Sequence, residues 1–250
     1  MFENIPTLSQ RVLVLGESCV DSFVYCHANR LAPDLPVPVL NVDKIENNPG
    51  MAMNVHASLK KYIYDCEIKT NPNWDSITKT RYVHNKSNHT FFRVDSDANF
   101  GIFSEDIDYS TMDLIVISDY NKGYLSEQKI SEICEKNSNV FLDTKKRVGD
   151  WAAKARFIKI NDFEYQNSLP IENFSLSQKI IRTLGSRGCE YQGNIFSVPE
   201  VEVKDSSGAG DAFMAGLVVG YLISGSIVEA IKLANLGASK VVSERGVTTI

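Results

Sequence analysis

Short apolar runs bounded by Gly, Asp or Asn recur along the chain, at Val12–Leu15, Leu114–Ile117, Val140–Leu142, Phe157–Ile160 and Ile180–Leu184. Runs that stay apolar without alternating suit strands covered on both faces of a sheet. Helical stretches lie between several of them. Ser126 to Lys136 opens on a residue able to cap, and Ile130 and Ile133 fall on one inward face. Strand and helix alternate, which predicts an α/β fold with a mainly parallel central sheet flanked by helices.

Two segments read instead as antiparallel hairpins. Lys79–Val83 and Thr90–Val94 flank the polar turn NKSNH, and Glu190–Gln192 and Ile195–Val198 flank Gly193-Asn194. The region from Phe23 to Ile45 carries Pro33, Pro36 and Pro38 among its apolar residues and reads as a strand-rich excursion, a flap over the sheet. In the last quarter, Ser206 or Ser207 is placed to cap the helix that begins in GAGDAFMAGLVVGYLIS and stops at Gly225. The next helix opens on the capping-box pattern Ser226-x-x-Glu229 and runs to about Ser243, before Gly246.

Composition narrows the functional classes. At 250 residues and 43% hydrophobic content the chain can bury a large core, and one domain spanning 1–250 is the expectation. A net charge of -5 argues against a nucleic-acid partner. The five cysteines, at 19, 26, 66, 134 and 189, form no CxxC pair, so reduced thiols and a cytoplasmic location are expected. MFENIPTLSQR lacks the apolar run of an export signal, and the longest apolar stretch, Ala212 to Ile223, falls short of the roughly 20 residues a membrane span needs. No membrane partner is expected. His27, His56, His84 and His89 show no metal-ligand spacing, and no GxGxxG follows the first strand, which leaves little support for a dinucleotide-binding dehydrogenase.

The candidate chemistry lies in Asp205-Ser206-Ser207-Gly208-Ala209-Gly210-Asp211, where small residues and two carboxylates stand at the mouth of an apolar helix. Glycines let the backbone approach a ligand, and the free N–H groups of a first helical turn point at it, which makes an anion site. A carboxylate in that turn faces the positive helix end, so Asp211 is expected to stay ionised and to accept a proton. Phosphoryl transfer needs such a base, donors for the migrating charge and a metal ion on the other phosphates. On these residues alone, a plain helix N-cap with a tight turn is an equal reading.

DSSGAGD resembles the second signature of the PfkB carbohydrate kinases, Asp-Thr-x-Gly-Ala-Gly-Asp, with Ser206 in place of Thr. Further resemblances follow in the family's order. VLVLGESCVDSF resembles the first strand and its sugar-binding Asp, here Asp21. Pro49-Gly50-Met51-Ala52-Met53-Asn54 resembles the first signature, Gly-Gly-x-x-Asn, with Met51 where the family has its second, hinge glycine. Asn161-Asp162-Phe163-Glu164 reproduces Asn-x-x-Glu, Thr183–Gly188 resembles the nucleotide-side turn, and Asn235 falls on the helix bordering the adenine pocket.

The resemblance implies a ribokinase-like fold with a small β-rich lid at about 22–46 and 78–96. It implies ATP and Mg2+, with Asp211 as catalytic base and Gly208, Ala209 and Gly210 as its anion hole. It assigns Asp21, Gly50, Asn54 and Lys122 to the sugar, and Asn161, Glu164, Lys145, Thr183, Gly185, Gly188 and Asn235 to the nucleotide, Glu164 reaching magnesium through water. Ala32–Val39, Ser118-Asp119-Tyr120-Asn121-Lys122-Gly123 and Asp143-Thr144-Lys145 resemble the flap, Ser-Asp-Tyr-x-Lys-Gly and Asp-Pro-Lys of bacterial heptose 7-phosphate kinases. Those enzymes phosphorylate the anomeric hydroxyl of the sugar phosphate for surface polysaccharide. Their substrate's own phosphate calls for cations such as Lys79, Arg81, Arg93 or Lys122. A kinase for another sugar, and a relative that binds without turnover, are the alternatives. Between Asn54 and Thr78 there is room for one helix and a short strand, where the family has an additional βαβ unit. Flap strands in this family pair across a homodimer, the oligomer expected here.

Overall fold

The computed structural model describes residues 2, 5–246 and 248–250. Among them, eight strands make the main sheet. In spatial order these are β4 (Cys66–Lys69), β1 (Val12–Gly16), β7 (Leu114–Asp119), β8 (Val140–Thr144), β9 (Phe157–Asn161), β10 (Ile180–Thr183), β11 (Cys189–Tyr191) and β12 (Asn194–Phe196). Pairing is parallel from β4 to β10 and antiparallel beyond.

Strands β1, β7 and β8 are buried on both faces, as their apolar runs require. Val12 and Val14 of β1 pack on one side with α1 (Ala52–Leu59), α5 (Ala209–Ser224) and α6 (Ile227–Val242), while Leu13 and Leu15 face α2 (Glu127–Lys136) on the other. Short helices α3 (Asp162–Ser168) and α4 (Phe174–Ser177) follow β9. Ser126 accepts from Lys129 N and caps α2, with Ile130 and Ile133 buried as expected. Helix α5 is apolar on nearly every side and packs closely on α6. A Cβ at Gly216 or Gly220 would stand 2.9 or 2.7 Å from the Cα of Ala234 or Ala230.

The second sheet is the lid, with β2 (Ser18–Leu31) inside, β3 (Pro38–Met51) and β6 (Thr90–Asp95) at its edges, and β5 (Thr78–His84) between β2 and β6. Its first hairpin runs from residue 18 to 51, well past the expected 22–46. The polar stretches at 18–22 and 47–51 carry no apolar alternation, yet they pair because β2 is flanked by strands on both sides. Pro38 and Pro49 are tolerated because β3 is an edge. The stretch between Asn54 and Thr78 holds the rest of α1, the short strand β4 and a single 3-10 turn.

Two local expectations are corrected. The tight turn between β11 and β12 is Gln192-Gly193, both at positive φ (50° and 76°), since Tyr191 pairs with Asn194. Such a two-residue turn needs positive φ twice, and Gly193 serves as its second residue. Helix α5 is capped by Gly208 in the left-handed region (φ 78°) with no side-chain cap, not by Ser206 or Ser207. Asp205 accounts for this, because its Oδ1 accepts from Ser207 N at 2.8 Å and turns the chain before the serines can reach the helix.

Candidate active site

The carboxyl ends of β1, β7, β8, β9 and β10 deliver their next residues to one edge of the sheet, where open α/β sheets bind ligands. The mouth of α5 opens on the same edge. Asp211, in its first turn, is buried, and both carboxylate oxygens are held. Asn54 Nδ2, from α1, donates to Oδ2 at 2.9 Å, and the Tyr120 phenol, just past β7, donates to Oδ1 at 2.8 Å. Burial pushes the Asp211 carboxyl above the ordinary carboxylate range, and these two donors pull it back part of the way. Desolvation thus works against the charge that the helix end is expected to favour. A carboxylate displaced upward is a stronger base once ionised.

Around that base the turn is built for an anion. The amides of Gly210 and Asp211 find no acceptor among the described residues and point out of the helix mouth. A Cβ at Gly210 would come 2.9 Å from Lys159 Nζ, so glycine lets that ammonium lie across the turn. Lys159, only 3% exposed, donates to Asp143 Oδ2 at 2.7 Å. Lys145 pairs with Glu164 at 2.7 Å and stands 3.6 Å from Asp143 Oδ1. Burial works against the Lys145 ammonium, but Asp143 and Glu164 hold it above the usual lysine range. Burial likewise works against ionised Asp143, and Lys145 and Lys159 hold its carboxyl below the usual range.

Two cavities meet at this turn. One, of about 470 Å³, is lined by Tyr120, Asp143, Lys145, Lys159 and Asp211, with Asn161, Thr183, Gly185, Gly208 and Gly210. The second, of about 610 Å³ and more apolar, shares Thr183, Gly185 and Gly210 and continues past Ala209 and Gly188 to Asn235. Most residues singled out in the sequence therefore line one continuous groove. Gly188 (φ 86°) is fixed by packing as well, since a Cβ there would stand 2.0 Å from the Phe196 carbonyl oxygen. Asn235 donates to that same carbonyl at 2.9 Å. Asn161 and Glu164 form a reciprocal capping box on α3, so their polar atoms are largely committed to the helix and to Lys145.

The sugar-side candidates are dispersed. Asn54 reaches the base itself. Asp21, on the lid face that looks at the site, is ion-paired with Arg81, and Gly50 lies against Cys19, with 2.9 Å between a Cβ there and the sulfur. Lys122 is exposed and lines neither cavity; its backbone N donates to Glu17 at 2.9 Å. The lid contributes Lys79 instead, 9% exposed, with its Nζ 5.0 Å from the centre of the Tyr120 ring and no ion pair among the described residues. Burial pushes the Lys79 ammonium below its usual range.

Sequence reasoning gave Tyr120, Lys159, Asp143 and Glu17 no role, though Tyr120 touches the base, Lys159 and Asp143 are paired beside it, and Glu17 holds the backbone of Tyr120. Lys159 had a signal, being a lone cation in a strand otherwise apolar enough to be covered on both faces, where lysine is rare unless partnered. As for magnesium, no group of three or more His, Cys, Asp or Glu gathers among the described residues. Asp143 Oδ1 is buried without a hydrogen-bond partner, and Glu164 lies beside it across Lys145. One or two carboxylates fit an ion carried mainly by phosphates and water, not an all-protein cage.

A parallel sheet whose strand ends and one glycine-bearing helix mouth surround a buried carboxylate, with a β lid at the rim, is the ribokinase-like architecture. Ribokinase from Thermotoga maritima superposes with a TM-score of 0.69 at 15% identity, over 95% of this chain and 94% of that one. Arabidopsis thaliana ribokinase complexed with ribose and ATP superposes with a TM-score of 0.65 at 15% identity, over 96% and 94%. The chain belongs to the pfkB family carbohydrate kinases, whose family profile matches residues 78–250. Curated relatives include the bifunctional protein HldE of Helicobacter pylori (strain Shi470), 28% identical over 296 residues. The HldE protein of Coxiella burnetii (strain RSA 331 / Henzerling II) is 25% identical over 295. The alignments cover 95% and 96% of this chain but only 64% and 62% of those relatives.

Proposed function

We propose that the chain transfers the γ-phosphoryl of ATP to a hydroxyl of a sugar phosphate, with the C1 hydroxyl of D-glycero-β-D-manno-heptose 7-phosphate as the acceptor. The observation that carries this reading is a buried carboxylate, Asp211, held by two donors beside the free amides of a glycine turn. Asp211 takes the proton of the acceptor hydroxyl. The amides of Gly210 and Asp211, with Lys159, face the charge that spreads over the transferred phosphoryl. Asn161, Thr183, Gly185, Gly188 and Asn235 line the path for the rest of the nucleotide. Magnesium, reached by Asp143 and through water by Glu164, would neutralise phosphate oxygens there.

A phosphorylated acceptor is supported by Lys79, a buried cation with no ion pair among the described residues, above the ring that touches the base. The heptose is supported by the likeness to the HldE proteins and by the flap, SDYNKG and DTK segments. Five buried, unpaired thiols suit a cytoplasmic location. A homodimer through the lid is supported by its outer face, where Ile45, Val24, Tyr82 and Phe92 stand in one cross-strand row and Ile45 and Phe92 are exposed. Sedimentation at micromolar concentration reads that assembly, and a monomer refutes it.

The deciding experiment is magnesium-dependent ADP release with heptose 7-phosphate, against a panel holding a fructose phosphate and ribose. Loss of release in Asp211→Asn with the fold retained is the expected result, and turnover by that variant at the wild-type rate refutes the assigned base. A strained methionine at the lid junction, Met51 at φ 62°, favours a second reading, a relative that binds without turnover. Calorimetric ATP binding with no sugar-dependent ADP from any member of the panel selects it.

A further inference from the structure

Tyr120 and Glu17 stand inside the SDYNKG and VLVLGESCVDSF segments with no role of their own there, yet they and Asn54 form one hydrogen-bonded unit with the base. The two oxygens of Asp211 are held from two sides, by a phenol on the loop after β7 and by an amide on α1. Both donors are anchored at one residue. The Glu17 carboxylate, buried at the end of β1, accepts from Tyr120 N at 2.8 Å and from Lys122 N at 2.9 Å. Its own carbonyl accepts from Ala52 N at 2.9 Å, the first residue of the helix that carries Asn54. Burial, and then the neighbouring Asp119, push the Glu17 carboxyl up, and the two loop amides offset part of this. A carboxylate kept in so unfavourable a place holds a turn that passes through Asn121 at φ 56°.

We propose that Tyr120 is a positioning residue that fixes the orientation of the Asp211 carboxylate and its affinity for a proton, and that Glu17 acts on the base through Tyr120. This rests on the assignment of Asp211 as the base. The phenol suits the task because burial, and then the Asp211 charge, keep it protonated far above neutral pH, so it donates at any working pH. A carboxylate oxygen has two lone pairs, so Oδ1 can take the phenol on one and keep the other for an acceptor hydroxyl. The groups facing Asp211 are Asn54 from α1, Tyr120 from the loop after β7, Asp143 from β8, Lys145 just beyond it and Lys159 from β9. Burial and Asp143 disfavour the ionised form, whereas Asn54, Tyr120 and Lys159 favour it. Taking away the phenol alone leaves the balance more unfavourable to the charge, so the base titrates at higher pH.

Tyr120→Phe removes the donor and keeps the ring that lies against Lys79 and Lys145. The test is a carboxyl-carbon NMR titration of the full chain labelled with 13C-aspartate, with the Asp211 resonance identified by its loss in Asp211→Asn. The expected result is a midpoint displaced to higher pH in Tyr120→Phe. In turnover, kcat falls about tenfold, as for a lost hydrogen bond to a charged group, the acidic limb of the profile moves the same way, and KM for ATP is unchanged. Glu17→Gln displaces the midpoint in the same direction and adds nothing further in the double variant, because both act through one group. An unmoved Asp211 midpoint in folded Tyr120→Phe overturns the proposal, and full additivity overturns the part given to Glu17. Should Tyr120→Phe not fold, an unmoved midpoint in Glu17→Gln overturns the proposal in its place. The titration reads Asp211 without turnover, so a wild-type chain that phosphorylates nothing sinks the kinase reading while the midpoint still decides this one.

Discussion

Replacing Met51 tests whether the junction between lid and sheet is strained. Its backbone sits at φ 62° and ψ -132°, the first central position of a type II′ turn, which glycine adopts freely and other residues do not. The side chain is nevertheless 3% exposed and packs in the core with Leu13 and Leu15. Two effects therefore oppose each other. Truncating a buried methionine costs about 2–5 kcal/mol, and the positive φ costs the wild type about 1–2 kcal/mol. Met51→Ala loses the packing and keeps the strain, giving a net loss of about 3 kcal/mol. Met51→Gly loses the packing and sheds the strain, less about 0.5–1 kcal/mol for the freer unfolded chain. Glycine should thus be more stable than alanine by about 1 kcal/mol, the reverse of their order inside a helix or strand. In urea, with a slope of about 3 kcal/mol/M, the midpoint of the glycine variant lies about 0.3 M above that of the alanine variant. An alanine variant equal to or above the glycine variant refutes the strain.

Asp211→Asn should lower kcat by about 10²–10⁴ while leaving thermal stability unchanged or raised at neutral pH. The folded pKa of Asp211 lies above its unfolded value, so the stability due to the neutral acid is complete below about 3.9 and is lost as pH rises through the folded value. The variant's advantage in Tm should shrink on acidification, and a drop in Tm at pH 7 speaks against the burial argument. Lys159→Met leaves Asp143 short of one of two ammonium partners in the core, with a loss of about 3 kcal/mol by denaturant titration. A loss below about 1 kcal/mol means the pair is not buried as described. Gly220→Ala forces a methyl to 2.7 Å from the Ala230 Cα, and overpacking of about 1–3 kcal/mol exceeds the roughly 1 kcal/mol gained in helix propensity. A calorimetric Tm a few degrees lower is expected, and an unchanged Tm shows that α5 and α6 can separate at no cost. Lys79→Met should raise KM for a sugar phosphate at least tenfold and leave KM for ATP alone, and equal effects on both would remove Lys79 from the acceptor side.

The sequence by itself determined the main sheet. Val12–Leu15, Leu114–Ile117 and Val140–Leu142 are apolar at every position, and only a strand covered on both faces satisfies such a run. It also placed a glycine turn and a carboxylate at the start of α5, although the capping residue, Gly208 and not Ser206 or Ser207, came from the turn that Asp205 makes. The extent of the lid was decided elsewhere. Ser18–Ser22 and Asn47–Met51 have no strand pattern of their own and pair because the ladder is already running beside them. The partners of the base were likewise decided by the fold. Asn54, Tyr120 and Asp211 come from three separate elements, and nothing local to Tyr120 tells of a carboxylate 91 residues further on. Local chemistry fixes which backbone a segment prefers, whereas a hydrogen bond between distant side chains exists only where packing brings them to within 3 Å, and that is a property of the whole chain.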